Sequence, residues 1–286
     1  MKHIAIVTDS TANIPPELAA EYDITVIPLN IHWGEDTYKD GVTLDTSTFY
    51  QMLQERKDFP QTSQPSIGDF ITLFQDVAAR HETDTILGVF ISSPLSGTLA
   101  SASQAKAELP DLNIELVDSR SISMGLGFQA LTAARLAQEG AAVEEILKGV
   151  HHVRASTELL IALDTLEYLH RGGRIGGAQR LLGTVLNFKP LLTLENGKIE
   201  ALGKARSRHK SLQMFVELAE ERLAGRRPAE LAIMHVEGNG DVDYLTEMVN
   251  ERLQPKRLYT GQISPVLGTH GGPGAIAMAF YTNNGV

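Results

Sequence analysis

The 286 residues include no cysteine. That absence excludes disulfides, thiolate zinc sites and a cysteine nucleophile, and it suits a reducing cytoplasm, the location expected here. Nowhere do about 18 apolar residues run together, the length a membrane-crossing helix needs, and the apolar stretch in MKHIAIVTDS is far too short for a signal peptide. Membrane contact is expected to be transient at most. There is no G-x-x-x-x-G-K-[ST] loop: Gly197-Lys198 and Gly203-Lys204 lack both its spacing and the following hydroxyl, so no P-loop cradle for nucleotide phosphates is expected in this chain. A net charge of −10 disfavours general binding to nucleic acid or anionic membrane.

The charge is uneven. Arg171, Arg174, Arg180, Lys189, Lys198, Lys204, Arg206, Arg208 and Lys210 face only Glu195 and Glu200 within one 40-residue stretch. This is either a docking surface or a solvated face.

What is present reads as an ordinary folded chain, with 43% hydrophobic and 21% charged residues and 12 prolines. The length suggests two α/β domains with a cleft between them, placed at 1–157 and 158–286. In the first, Ile4 to Val7, Ile24 to Leu29, Ile86 to Ile91 and Ile114 to Val117 read as buried strands. They alternate with helical patterns near Pro16 to Glu21, Ser66 to Ala79, Thr98 to Glu108 and Ser123 to Gln138. Such alternation predicts a mainly parallel sheet with helices on both faces and ligands beyond the carboxyl ends of its strands. In the second, strands at Leu159 to Leu163, Pro190 to Leu194, Lys198 to Gly203, Leu231 to Val236, Leu258 to Ile263 and Ala275 to Tyr281 accompany helices near Arg208 to Leu223 and Asp241 to Leu253. The result is an α/β domain with a mixed sheet, in which Asn196-Gly197 suits a tight hairpin turn. GLGFQA at Gly125 to Ala130 matches a dinucleotide fingerprint only loosely and reads as helix packing.

Three separated segments have the makings of an anion site. In ISSPLSGT, Ser92, Ser93, Ser96 and Thr98 gather between a strand and a helix start, where hydroxyls and free N–H groups welcome an anion or merely cap the helix. In TSQPS, Thr62 and Ser63 precede a helix that Ser63 or Ser66 starts. In GTHGGPG, four glycines and a proline hold Thr269 and His270 on what reads as a constrained turn.

Together with TDSTANIP, VDSRS, LHRGGRIGGA and KPLLTLENGKIEALGKARSR, these segments resemble, in order and over nearly the whole chain, the DegV family of bacterial fatty-acid-binding proteins. The resemblance implies one long-chain fatty acid held in an apolar tunnel between two α/β domains. It also implies a non-enzymatic, acyl-carrying role beside a separate ATP-binding fatty acid kinase subunit, whose acyl phosphate product feeds phospholipid synthesis. On this chain it implies carboxylate ligands Thr62, Ser93 and His270, with Ser92, Ser96, Ser63 and Thr269 nearby. Arg174 matches an arginine associated with the kinase step, and neither a metal nor a cofactor is implied.

The energetics suit that division. About 15 methylenes contribute roughly 12 kcal/mol before ordering costs, and two or three donors roughly offset the cost of burying the carboxylate. The rival reading is a serine hydrolase acting on a lipid or ester with Ser93 or Ser96, His270 and an acid such as Asp9 or Asp118, although the G-x-S-x-G elbow is missing. A third is a purely regulatory module using the basic stretch.

Overall fold

A computed structural model describes residues 3–183, 188–236 and 240–282. Four strands, β1 (Ile4–Asp9), β2 (Ile24–Ile27), β6 (Thr85–Phe90) and β7 (Asn113–Asp118), form a wholly parallel sheet in the order β2-β1-β6-β7. Between β2 and β6 the chain inserts a small antiparallel sheet ordered β4-β3-β5, made of β3 (Asn30–Trp33), β4 (Asp36–Lys39) and β5 (Gln61–Ser63). The remaining strands are β8 (Thr157–Ala162), β9 (Lys189–Glu195), β10 (Lys198–Ala205), β11 (Glu230–His235), β12 (Leu258–Gln262) and β13 (Ile276–Tyr281). They make a mixed sheet in the order β10-β9-β8-β13-β11-β12, in which only β11 and β12 run parallel. The expected α/β class, with one parallel and one mixed sheet, is what the chain adopts.

The helices are α1 (Pro16–Glu21), α2 (Thr46–Glu55), α3 (Ile67–Arg80), α4 (Thr98–Ala107), α5 (Met124–Gln138), α6 (Val143–Ser156), α7 (Glu167–Arg171), α8 (Arg208–Leu223), α9 (Asp241–Arg252) and α10 (Pro265–Gly271). Ser66 starts α3 with a capping box: its hydroxyl accepts from Asp69 N–H while the Asp69 carboxylate accepts from Ser66 N–H.

Period-2 alternation sorts the core into layers. On the parallel sheet Val7, Ile86 and Phe90 pack with Phe70 and Phe74 of α3, while Ile6, Leu87 and Val89 face the other way. On the mixed sheet Leu160, Met278 and Phe280 pack with Phe215 of α8 and Val249 of α9, and Leu159, Ile161, Ala277 and Ala279 face inward. The inward faces share one core, and α5 runs through it. This helix touches strands of both sheets and is buried almost all round from Met124 to Ala134, as an apolar-all-round helix must be. The glycines of GLGFQA serve that packing: a Cβ on Gly127 would lie 2.8 Å from the Ala12 carbonyl oxygen.

Neighbouring β1 and β6 send the chain outward in opposite directions, to β2 and to β7. A crevice opens beyond their carboxyl ends at such a switch point. Asp9 ties those ends together, its carboxylate accepting from Ile91 N–H at 2.7 Å, Thr11 N–H at 2.9 Å and the Thr11 hydroxyl at 2.5 Å.

Candidate functional site

At that switch point lies a cavity with about 860 Å³ of empty space, its open mouth included. Leu29, Ile91, Leu95 and Ile122 line it from the parallel-sheet side, and Ile161, Leu163, Ile199, Ile263, Ala275 and Ala277 from the mixed sheet and its loops. The room comes from alternation along β13, where Ala277 and Ala279 turn inward beside Ala275 while Ile276, Met278 and Phe280 turn toward α8 and α9. Small side chains on one face leave space that large ones on the other do not.

The polar atoms of the lining belong chiefly to Thr62, Ser63, Gln64, Ser96, Ser123, Arg174 and His270. β5 carries Thr62 and the last turn of α10 carries His270, and they meet with Thr62 Oγ1 2.8 Å from His270 Nε2. The other ring nitrogen, Nδ1, is buried without a partner. It packs on Gly172 of HRGGR, where a Cβ would come within 2.1 Å of it. Arg174 stays close, donating from Nη1 to Gly172 O at 2.7 Å and from Nε to Leu95 O at 3.3 Å. Burial first, and then the Arg174 charge, lowers the His270 pKa to about 4, so the ring is neutral near pH 7. Together these groups form an oily slot with a hydroxyl, a neutral imidazole and a guanidinium at one place on its wall.

The sequence pattern of the family described as "Uncharacterised protein, DegV family" matches residues 3–283. The chain belongs to the DegV family. It is 32% identical to Protein DegV of Bacillus subtilis over 279 residues, 97% of this chain and 99% of that one. Among solved structures, "Fatty Acid Binding of a DegV family Protein from Thermus thermophilus" superposes with a TM-score of 0.91 at 33% identity, covering 98% of this chain and 99% of that one. "Crystal Structure of DegV, a fatty acid binding protein from Bacillus subtilis" gives a TM-score of 0.90 at 31% identity, covering 99% and 100%.

In this DegV protein the hydroxyls of ISSPLSGT part company. Ser93, the expected ligand, is exposed, donates to Asp118 Oδ2 at 2.6 Å and is not part of the cavity lining. Ser92 is buried and donates to Gly197 O at 2.6 Å, pinning the β9–β10 hairpin turn. Ser96 is the one that faces the cavity, its Oγ 2.8 Å from Thr98 Oγ1. The cause is a tight turn, closed by Leu95 N–H and Ser96 N–H on Ser92 O, which sends neighbouring side chains to different sides. The expected ligand Ser93 therefore lies outside the cavity lining, and Ser96, the nearby candidate, is part of it.

GTHGGPG is corrected too: Thr269 and His270 sit in a short helix, not a turn. Thr269 is fully buried and donates to Pro265 O at 3.0 Å, which removes it from the site. Ser63 lines the cavity but is occupied, with His32 Nε2 at 2.8 Å and Asn30 Nδ2 at 3.2 Å. Gln64, Ser123 and the small residues of β13 were not expected; for the β13 residues alone, the small-large alternation in AIAMAFY was a readable signal.

A hydrolase relay fares poorly. His270 meets a threonine and its second nitrogen meets no carboxylate, while the His32 ring facing Ser63 turns its Nδ1 to Thr37 Oγ1 at 2.9 Å. A serine–histidine–carboxylate chain needs the third member to orient the base. Among the described residues one group has the donor set of a cation site, His3, Asp23 and His81. His81 Nδ1 lies 3.3 Å from Asp23 Oδ2, while its Nε2 accepts from Arg80 Nε at 3.2 Å.

Two outcomes follow from His270. Its folded pKa lies below the 6.5 of a free imidazole, so between about pH 6.5 and 4 the unfolded chain binds more protons and stability falls as pH falls. Asp9 and Asp40, both raised to about 6 by burial above all, act in the opposite direction between pH 3.8 and 6. Comparing wild type with His270→Gln cancels the two aspartates. The variant is expected to lose less Tm between pH 7 and 4.5, and equal losses would contradict a buried neutral ring. Gly172→Ala, in turn, is expected to push the imidazole off Thr62, seen as a changed His270 side-chain resonance in an otherwise native NMR spectrum.

Proposed function

We propose that this chain binds one long-chain fatty acid, tail in the cavity and carboxylate at Thr62, Ser96 and His270, between two α/β domains divided near residue 157. The observation that carries this reading is the coincidence of an apolar slot with a hydrogen-bonded Thr62–His270 pair in its wall, lined from both halves of the chain. Fatty-acid-binding relatives of the same fold support it. The tail supplies affinity, at about 0.8 kcal/mol per buried methylene. The donors supply orientation, each bond to the charged head group being worth about 1.5 to 3 kcal/mol. Mass spectrometry of lipid extracted from the purified protein tests the ligand class. The expected result is a fatty acid at up to one per chain; no lipid, with no uptake of added oleate or palmitate, would refute it.

The finer reading makes the chain a cytoplasmic carrier, without a cofactor, that presents its ligand to an ATP-binding kinase subunit, the acyl phosphate going on to phospholipid synthesis. Neutral donors fix a carboxylate without occupying both oxygens as a bidentate arginine does, leaving one to attack the γ-phosphorus as ADP departs. Arg174, held at the cavity wall by main-chain carbonyls, then steadies the transferred phosphoryl group. Arg174→Ala is expected to keep fatty acid affinity within about threefold and to cut kinase-coupled turnover by about 100-fold or more. Full turnover in that variant would remove Arg174 from the step.

A further inference from the structure

Asp40 has no assigned part, yet it is a buried carboxylate, 3% exposed, on the loop that leaves β4. Burial pushes its pKa up to about 6, with the charge of nearby Asp9 adding to the effect, so the fold bears a cost to keep it there. Its Oδ2 accepts the Ser10 hydroxyl at 2.6 Å, which itself accepts from Leu29 N–H at 3.2 Å. Its Oδ1 accepts from Val266 N–H at 3.3 Å, across 226 residues of sequence.

That N–H belongs to the first turn of α10, and the helix's own leading residue, Ser264, makes no side-chain cap bond. Val266 and His270 lie four apart on this helix, hence on one face, and both line the cavity. A second hold comes from α2: the Tyr50 hydroxyl donates to Ile263 O at 3.2 Å and packs on Gly268, where a Cβ would come within 2.2 Å of it. A seven-residue helix rich in glycine has little stability of its own, so its place depends on contacts like these.

We infer that Asp40 is a positioning residue for the head-group site: by holding Val266 N–H it fixes α10 so that His270 meets Thr62. This rests on the proposed fatty-acid reading for its consequence, but the placement of the ring is readable without a ligand. A residue that acts through His270 loses its effect once the imidazole is gone, and a double-mutant cycle measures that.

The test is oleate affinity of wild type, Asp40→Ala, His270→Ala and the double variant. Asp40→Ala is expected to weaken binding about tenfold through a displaced ring, yet by less than about twofold in the His270→Ala background. Asp40→Asn, which keeps an oxygen for Val266 N–H, is expected to restore most of the loss, and it carries the test if the alanine variant does not fold. The His270 imidazole is also followed by NMR in ligand-free protein, with Arg174 as the charge facing it. In Asp40→Ala its titration midpoint is expected to move from about 4 toward 6.5. Equal losses in both backgrounds, or an unmoved midpoint, would overturn the inference. Wild type that binds no oleate would instead refute the fatty-acid reading and leave the NMR result to decide on Asp40.

Discussion

Arg135→Ala is expected to lower the stability of the protein by about 3 to 5 kcal/mol, the cost of stranding a buried charge. Glu230, 4% exposed on β11, receives both guanidinium nitrogens Nη1 and Nη2 of Arg135 from α5. The Tyr281 and Tyr259 hydroxyls each donate to it at 2.8 Å. Burial opposes the arginine charge, but the hydrogen bond and charge of Glu230 outweigh it and raise the Arg135 pKa. Without Arg135 the carboxylate keeps only tyrosine donors and a distant Arg257, 3.9 Å away. For a chain of this size the loss corresponds to a Tm drop of roughly 10 °C, read by calorimetry. A double change to Arg135→Leu and Glu230→Leu is expected to recover much of it, because no charge is then left unpaired. A single variant as stable as wild type would mean that the pair does not clamp α5 to the mixed sheet.

The second large effect is on ligand capacity. Ala277 sits inward on β13, opposite Ile161 in register, at the cavity wall. Ala277→Phe is expected to occupy the space of roughly four or five methylenes, which at about 0.8 kcal/mol each weakens long chains by roughly 200- to 800-fold. Chains shorter by that length should lose little, so preference shifts to short acyl groups while Thr62 and His270 stay in place. Competition among fatty acids of graded length reads the shift. Uniform weakening of all lengths would place the tail elsewhere.

Much of the architecture was legible because its patterns are local. Helix α8 begins and ends where its apolar period does, and Asn196-Gly197, with φ of 50° and 78°, turns the β9–β10 hairpin as an Asn-Gly pair should. The antiparallel β3, β4 and β5 were not legible: strands of three or four residues, with β4 half-exposed, offer too few positions for a period to register. Nor was α10, since glycine and proline spell a turn locally and the helix is held by Asp40 and Tyr50 from far along the chain. The same limit explains the serines. ISSPLSGT gives the hydroxyls, but only the turn closed on Ser92 O decides that Ser96 faces the cavity and Ser93 faces Asp118. Five of the nine cations in the basic stretch meet carboxylates: Lys189 and Arg208 meet Asp164, Arg208 also meets Asp241, Arg171 meets Glu167, Arg180 meets Glu200 and Lys210 meets Glu217.

The most direct measurement is a crystal structure of the protein with bound oleate. The account predicts a single acyl chain running between Ile161 and Ile91, its carboxylate within hydrogen-bonding distance of Thr62 Oγ1 and His270. Electron density for the acid on the outer surface, or a head group pointing away from that pair, would contradict it.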